Sequence, residues 1–246
     1  MKNVAIILSA GSGKRMGADR PKQYLELAGK PIISYAIQTF QDSFIDEIVL
    51  VTGEGDEEYC RKKIVEQYHF TKVKKIVAGG KERYHSVYNG ILAAGECDYI
   101  YIHDGARPMV DQSILQRAKE MVEKAGACIV GMPVKDTMKL VGPKGNVVDT
   151  PKRESLYQIQ TPQAFAYPII KRAYDEFFLK EEQLQAKGIC ITDDAMVVET
   201  MTGEPVFVAE GSYYNIKITT PEDLKIAEIF QTLKQANQPC KKKEKN

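Results

Sequence analysis

Residues 7–31 read ILSAGSGKRMGADRPKQYLELAGKP. An apolar run from Val4 to Leu8 ends in small residues and glycines, and four cations follow: Lys14, Arg15, Arg20 and Lys22. A strand that runs into a glycine-rich turn is a phosphate-binding device, because backbone N–H groups approach an anion only where side chains are absent. Further along, Ser86 stands in AGGKERYHSV, Asp104 and Arg107 in HDGARP, and Lys217 in YNIKIT. Backbone donors, cations and one carboxylate are the parts that phosphoryl or nucleotidyl transfer needs. Charge builds on the non-bridging and leaving oxygens, positioned cations stabilise it, and a hard metal bridges a carboxylate to phosphate oxygens. In that chemistry Arg15 and Lys22 are the cations of the loop, Asp104 holds Mg²⁺ and Arg107 reaches an anionic substrate. Ser86 suits a ribose, base or phosphate, and Lys217 suits a cleft.

The loop is neither of two familiar phosphate cradles. The P-loop spacing G-x-x-x-x-G-K-[ST] does not occur. The dinucleotide fingerprint fits at Gly11 and Gly13, but its third position is Met16, with Gly17 one residue late. The acid that should end a second strand is also missing. Each residue taken alone has an ordinary reading as well. The loop suits a turn with solvated cations, Asp104 a turn cap, Ser86 a plain strand–helix turn, and Lys217 a solvent-facing strand. The combination and its order along the chain carry the specificity.

The elements that must position these residues alternate in type. Strands are predicted at Val4–Leu8, Glu47–Val51, Val73–Val77, Tyr99–His103 and Ala127–Met132, with helices at 32–40, 57–68, 86–94 and 113–125 between them. This alternation predicts an α/β fold with a mostly parallel twisted sheet, whose ligands bind beyond the carboxyl ends of the strands. The loops after Leu8 and His103 sit at such ends. The pattern then breaks: residues 137–158 read as a protruding β-hairpin arm around Gly142-Pro143-Lys144-Gly145. Helices at 168–184 and from Thr192 or Asp193 follow, then strands at Val206–Ala209 and in YNIKIT. The last helix is capped by Thr220, with Pro221 at its first position. One domain over 1–230 and a disordered basic tail over 231–246 are expected.

The chain has 246 residues, 43% hydrophobic and 27% charged, with a net charge of +1. That is room for a real core and gives no charge argument for nucleic acid or a membrane surface. No apolar run approaches a bilayer span, and the N-terminus lacks a signal-peptide layout. The cysteines, at 60, 97, 128, 190 and 240, form no C-x-x-C pair and are odd in number. A reduced, cytoplasmic protein is expected. The three histidines, His69, His85 and His103, are scattered and make no zinc pattern.

The segments AGSGKRMG…PKQYLELAGKP, AGGKERYHSV, HDGARP, VKDTMK, QTPQAF, TDDA and NIKITTPEDL occur in this order. Together they resemble the bacterial 2-C-methyl-D-erythritol 4-phosphate cytidylyltransferases over residues 2 to 230. The resemblance implies a Rossmann-like nucleotidyltransferase fold and transfer of CMP from CTP to methylerythritol phosphate, with Mg²⁺ and release of pyrophosphate. It implies that Ser9, Ala10, Gly11 and Gly13 wrap the CTP phosphates and that Arg15 and Lys22 stabilise the transition state. Gly80 and Ser86 match cytidine-binding positions, and Asp104 a metal and substrate position. Arg107, Thr137, Arg153, Thr161, Thr192 and Lys217 match the methylerythritol phosphate side, with Arg153 and Lys217 orienting the attacking phosphate. It also implies a homodimer in which the arm crosses to the second subunit, so that Thr137 and Arg153 act in trans.

The chain departs from the family pattern at Leu8, where proline is common, at Lys81, where aspartate is common, and at Tyr157, a tryptophan-like position. Lys81 puts a cation near the expected nucleotide pocket. A ribitol 5-phosphate cytidylyltransferase of the same fold shares the first loop and NIKIT but differs around HDGARP and DTMK. It is the alternative reading.

Overall fold

The computed structural model of the protein describes residues 1–11 and 21–236. β1 (Asn3–Ser9) is buried along nearly its whole length, as a continuous apolar run in the middle of a covered sheet requires. A 3₁₀ turn over Lys22–Tyr24 leads into a small hairpin, β2 (Glu26–Leu27) and β3 (Lys30–Pro31). Its two-residue turn puts both Ala28 and Gly29 at positive φ, 48° and 78°, the conformation a tight two-residue hairpin demands. Then follow α1 (Ile32–Gln41), β4 (Glu47–Thr52), α2 (Glu57–Cys60), β5 (Val73–Ala78), α3 (Arg83–Ala94), β6 (Tyr99–Asp104), α4 (Gln112–Ala125) and β7 (Ala127–Pro133). The charged helix expected to run unbroken over 57–68 passes instead from α2 into a π-helical turn, Arg61–Glu66.

The arm is a short exposed hairpin, β8 (Leu140–Val141) with β9 (Val147–Asp149). The chain then re-enters the sheet as β10 (Tyr157–Ala166) and continues through α5 (Tyr167–Ala186), α6 (Asp194–Thr202), β11 (Phe207–Glu210) and α7 (Pro221–Ala236). The seven-stranded sheet has the order β11-β7-β10-β6-β1-β4-β5. β10 is antiparallel to both of its neighbours, β6 and β7, while β1, β4, β5 and β6 run parallel. From β1 the chain moves out to β4 and β5, then returns to β6 on the other side of β1. The carboxyl ends of β1 and β6 therefore flank the crevice that a reversal of strand order opens.

Alternation along the strands separates two cores. Ala5, Ile7, Leu50 and Tyr101 face α1 and α4 through Ile33, Ile37, Phe40, Ile114 and Leu115. Val4, Ile6, Val49, Ile100 and Ile102 face α3 and α5 through Val87, Ile91, Ala173, Tyr174 and Phe177. The period of two is what sends neighbours in sequence to opposite layers.

Two further segments differ from the sequence expectation. YNIKIT is not a strand: its backbone is irregular, and Ile218 N–H makes a single cross-bond to Ala106 O at 2.9 Å. The side chain of Asn215, fully buried, also anchors the segment by donating to Gln160 Oε1 and Thr161 O. The last helix runs to Ala236 rather than ending near 230. The added turn, residues 231–236, is rich in good helix formers, and Phe230 just before it packs on the cluster of Leu27, Ile32 and Ile218.

Candidate active site

β1 ends at Ser9 and is followed by the small residues Ala10 and Gly11. Three other segments converge there. The first is the turn between β5 and α3, where Gly79 N–H donates to Thr52 O and Gly80 N–H to Ser86 Oγ at 3.0 Å. A Cβ at Gly79 would overlap Ala10 Cβ and lie 2.7 Å from Ser86 Oγ, so glycine is what lets these backbones approach. The second is the turn after β6, where Gly105 N–H donates to Leu8 O at 2.8 Å. The third is the irregular segment around Lys217. Between them lies a cavity of about 370 Å³, lined by Ser9, Ala10, Gly11, Lys22, Gln23, Gly80, Glu82, Arg83, Ser86, Asp104, Lys217 and Thr219, among others.

The 3₁₀ turn that carries Lys22 is pinned from several sides. Lys22 Nζ donates to Ile218 O at 2.7 Å. Gln23, buried, donates through Nε2 to Ser9 O, and to Gly11 O at 3.1 Å. Ser9 Oγ donates to Tyr24 Oη at 3.2 Å, and Tyr24 Oη in turn lies 3.1 Å from Cys60 Sγ. Burial pushes both the Tyr24 phenol and the Cys60 thiol up, Cys60 to about 11, so this chain of groups is neutral and structural rather than reactive.

Asp104 is the charge centre of the cavity. Lys217 Nζ lies 2.7 Å from its Oδ2, Arg83 Nε 3.4 Å from its Oδ1, and Arg107 Nε 4.0 Å from Oδ2. Burial alone would raise the carboxyl. Arg83, Lys217 and Arg107 outweigh it and hold Asp104 well below the usual carboxylate range. Its backbone N–H is fixed by Thr161 Oγ1 at 3.1 Å. The same Thr161 oxygen is 3.1 Å from His103 Nδ1, and His103 Nε2 is 3.2 Å from Arg107 O. A carbonyl only accepts, so Nε2 carries the proton and Nδ1 accepts from the Thr161 hydroxyl. Burial pushes the His103 imidazole down to about 4, which keeps it neutral. Arg107 Nη1 donates to Asn215 O at 2.9 Å.

The donor set fits Mg²⁺ in one way. Among the described residues no three His, Cys, Asp or Glu side chains gather into a cage. Asp104 faces the cavity as an ionised carboxylate together with cations that suit phosphate, while the other lining carboxylate, Glu82, is engaged at the start of α3. Mg²⁺ is held in this manner in sites where substrate phosphates and waters complete the shell.

A family model described as IspD, 2-C-methyl-D-erythritol 4-phosphate cytidylyltransferase, matches residues 3–233. The chain belongs to this family. A 2-C-methyl-D-erythritol 4-phosphate cytidylyltransferase of Alkaliphilus oremlandii is 46% identical over 229 residues, covering 92% of this chain and 94% of the relative. One from Clostridium perfringens is 45% identical over 230 residues, covering 93% and 98%. Among solved structures, 4-diphosphocytidyl-2C-methyl-D-erythritol synthase from Anaerococcus prevotii superposes with a TM-score of 0.79 at 32% identity, covering 94% of this chain and 96% of that one.

For a cytidylyltransferase-family chain, the expected residues fall into four groups by placement. Ser9, Ala10, Gly11, Lys22, Gly80, Ser86, Asp104 and Lys217 meet at the cavity. Thr161 and Arg107 stand directly behind Asp104. Gly13 and Arg15 lie outside the described residues. Thr137, Arg153 and Thr192 are exposed and do not line the cavity. Arg153 donates to Lys135 O at 3.3 Å beside a separate depression formed with Pro133, Val134, Lys152 and Glu154. Lys81 is exposed and does not line the cavity either. Glu82 does, with its carboxylate engaged in a reciprocal cap with His85 at the start of α3.

The reading of the sequence passed over Arg83 and Gln23. Both lie inside quoted motifs, AGGKERYHSV and PKQY. The available signal was a charged side chain three residues after a glycine pair for Arg83, and an amide next to the cation Lys22 for Gln23.

Proposed function

We propose that this protein transfers CMP from CTP to 2-C-methyl-D-erythritol 4-phosphate. The products are 4-diphosphocytidyl-2-C-methyl-D-erythritol and pyrophosphate, and the step belongs to the non-mevalonate route to isoprenoid precursors. One observation carries the reading: in a chain of this family, Lys22, Asp104 and Lys217 meet at one cavity, at the carboxyl ends of β1 and β6.

An oxygen of the substrate phosphate attacks the α-phosphorus of CTP in line. A new P–O bond forms, the bond from that phosphorus to the β-phosphate oxygen breaks, and pyrophosphate leaves. A phosphate monoester has a second pKa of about 6 and is already largely a dianion at neutral pH. The chain then needs no general base, in keeping with a His103 that is fully buried and hydrogen-bonded at both ring nitrogens. Lys22, with Arg15, supplies positive charge where the transition state gains negative charge. Lys217 orients the attacking phosphate. Mg²⁺ held by Asp104 would neutralise charge on the triphosphate oxygens.

The active form in this reading is a cytoplasmic homodimer joined through the arm. Thr137 and Arg153 stand away from their own cavity, and the arm exposes Leu140, Val141, Val147 and Val148, an apolar strip that suits burial against a second copy. No described helix is long and apolar enough to cross a membrane. The test is pyrophosphate release from purified protein with Mg²⁺ and CTP, comparing methylerythritol 4-phosphate with ribitol 5-phosphate. Release with the former is expected. Release with only the latter would keep the transfer chemistry and refute the substrate.

A further inference from the structure

Arg83 stands on the cavity wall between two buried carboxylates. Its Nη1 and Nη2 donate to Oδ1 and Oδ2 of Asp194, both at 2.8 Å, and its Nε lies 3.4 Å from Asp104 Oδ1. The two parallel bonds fix the guanidinium in plane and in rotation, which a lysine cannot reproduce. Asp194 is itself held. Tyr174 Oη donates to its Oδ1 at 2.7 Å, and its backbone N–H donates to Gln163 Oε1 at 3.0 Å. Asp194 is fully buried and does not line the cavity, so it meets no ligand and acts through Arg83.

A buried ion pair is a poor stabiliser on its own, since well-packed apolar groups usually do as well. The geometry offers another reason for this pair. Asp104 Oδ2 is taken by Lys217 and Oδ1 by Arg83, so the plane of the Asp104 carboxylate is set by two cations, one of them rigidly mounted. We propose that Arg83 is a positioning residue, with Asp194 as its anchor. It holds the Asp104 carboxylate in the one orientation that serves Mg²⁺–CTP and Lys217. The two aspartates that open α6 then divide the work. Asp193 caps the helix through Met196 N–H, and Asp194 ties that helix to the site. The kinetic part of this inference rests on the transferase reading.

The test uses Arg83→Lys, Asp194→Asn and the double variant. The measurements are kcat from pyrophosphate release, the Kd of Mg²⁺–CTP by calorimetry, and the melting temperature. Arg83→Lys keeps the charge and loses the fork; Asp194→Asn keeps the shape and loses the charge. Each single variant is expected to lower kcat about tenfold and to weaken Mg²⁺–CTP binding about tenfold, the low end of what losing a group behind a ligand costs. The double variant should be no more than about twofold worse than the poorer single one, because both changes undo one arrangement. Wild-type kcat and Kd in both single variants, however their melting temperatures move, overturn the proposal, as do losses that multiply in the double variant. If Asp194→Asn does not fold, Tyr174→Phe loosens the same anchor by one hydrogen bond. A weakened Mg²⁺–CTP Kd there supports the role, and an unchanged one overturns it. A wild-type protein that binds Mg²⁺–CTP but releases no pyrophosphate refutes the transferase reading instead, and the binding arm still decides the role of Arg83.

Discussion

Lys217 Nζ and Asp104 Oδ2 lie 2.7 Å apart, joining an irregular segment near the C-terminus to the end of a central strand 113 positions earlier in the chain. The lysine side chain is still 38% exposed and Asp104 only 10%, so the cation is the more open of the two, while Asp104 still lines the cavity. Lys217→Met should leave Asp104 ionised, because Arg83 and Arg107 remain, and should leave the fold intact. Turnover should fall by about 10² to 10³, the scale of removing one donor aimed at developing charge. Pyrophosphate release and a thermal melt measure the two halves. A loss under tenfold would take Lys217 out of the chemistry.

Lys22 lines the same cavity, with Nζ 2.7 Å from the carbonyl oxygen of Ile218, the residue after Lys217. Lys22→Ala should lower kcat by about 10². Its neighbours Gln23 and Tyr24 keep the turn in place through Ser9 and Gly11, so the melting temperature should move little. Equal turnover in variant and wild type would exclude Lys22 as a stabiliser of the transition state.

The parallel half of the sheet was legible because its strands are unbroken apolar runs between amphipathic helices, a pattern with few alternatives. β10 was not legible. Its sequence, YQIQTPQAFA, carries three glutamines and a proline, which argue against a central strand. The register shifts between Gln160 and Gln163, around Pro162. The buried glutamines are satisfied by distant groups: Gln160 by Ser212 O, and Gln163 by Asp193 and the start of α6. Arg83 was missed for a related reason. In sequence it reads as a solvated turn residue, and its partner Asp194 is 111 positions away. Long-range polar pairing leaves no periodic trace, whereas core packing does.

Thr161 closes a circuit that neither neighbour closes alone. Its hydroxyl accepts from Asp104 N–H and donates to His103 Nδ1. Thr161→Val keeps the shape and strands a buried N–H, which costs about 1–3 kcal/mol. Urea denaturation should report that loss, and kcat should drop with it because Asp104 is no longer fixed from behind. An unchanged midpoint would mean that other groups satisfy the Asp104 amide.

Gly79 sits where three backbones crowd, and an added methyl would meet Ala10 Cβ and Ser86 Oγ. Neither neighbour is the far end of a long side chain, so relief must come from backbone shifts. Gly79→Ala should cost about 1–3 kcal/mol as overpacking. It should also raise the KM for CTP more than that for the second substrate, because both displaced residues line the cavity and belong to the nucleotide side in the proposed reading. Equal rises in the two KM values would argue for general loosening.

His103 predicts how stability responds to acid. Burial lowers its folded pKa to about 4, while an unfolded histidine titrates near 6.5. Above 6.5 neither state is protonated and the full stability is present. Between 6.5 and 4 the unfolded chain binds a proton that the folded protein refuses, so stability falls as pH falls, and it levels off below 4. Asp104 is silent in this window, because its folded pKa is depressed and the unfolded carboxyl titrates near 3.9. Moving from pH 7 to pH 5 should therefore cost about 2 kcal/mol from His103. Urea denaturation of wild type and His103→Gln at both pH values isolates the effect. The variant should be less stable at pH 7 yet lose much less on acidification. Equal losses in the two proteins would assign the acid sensitivity to other groups.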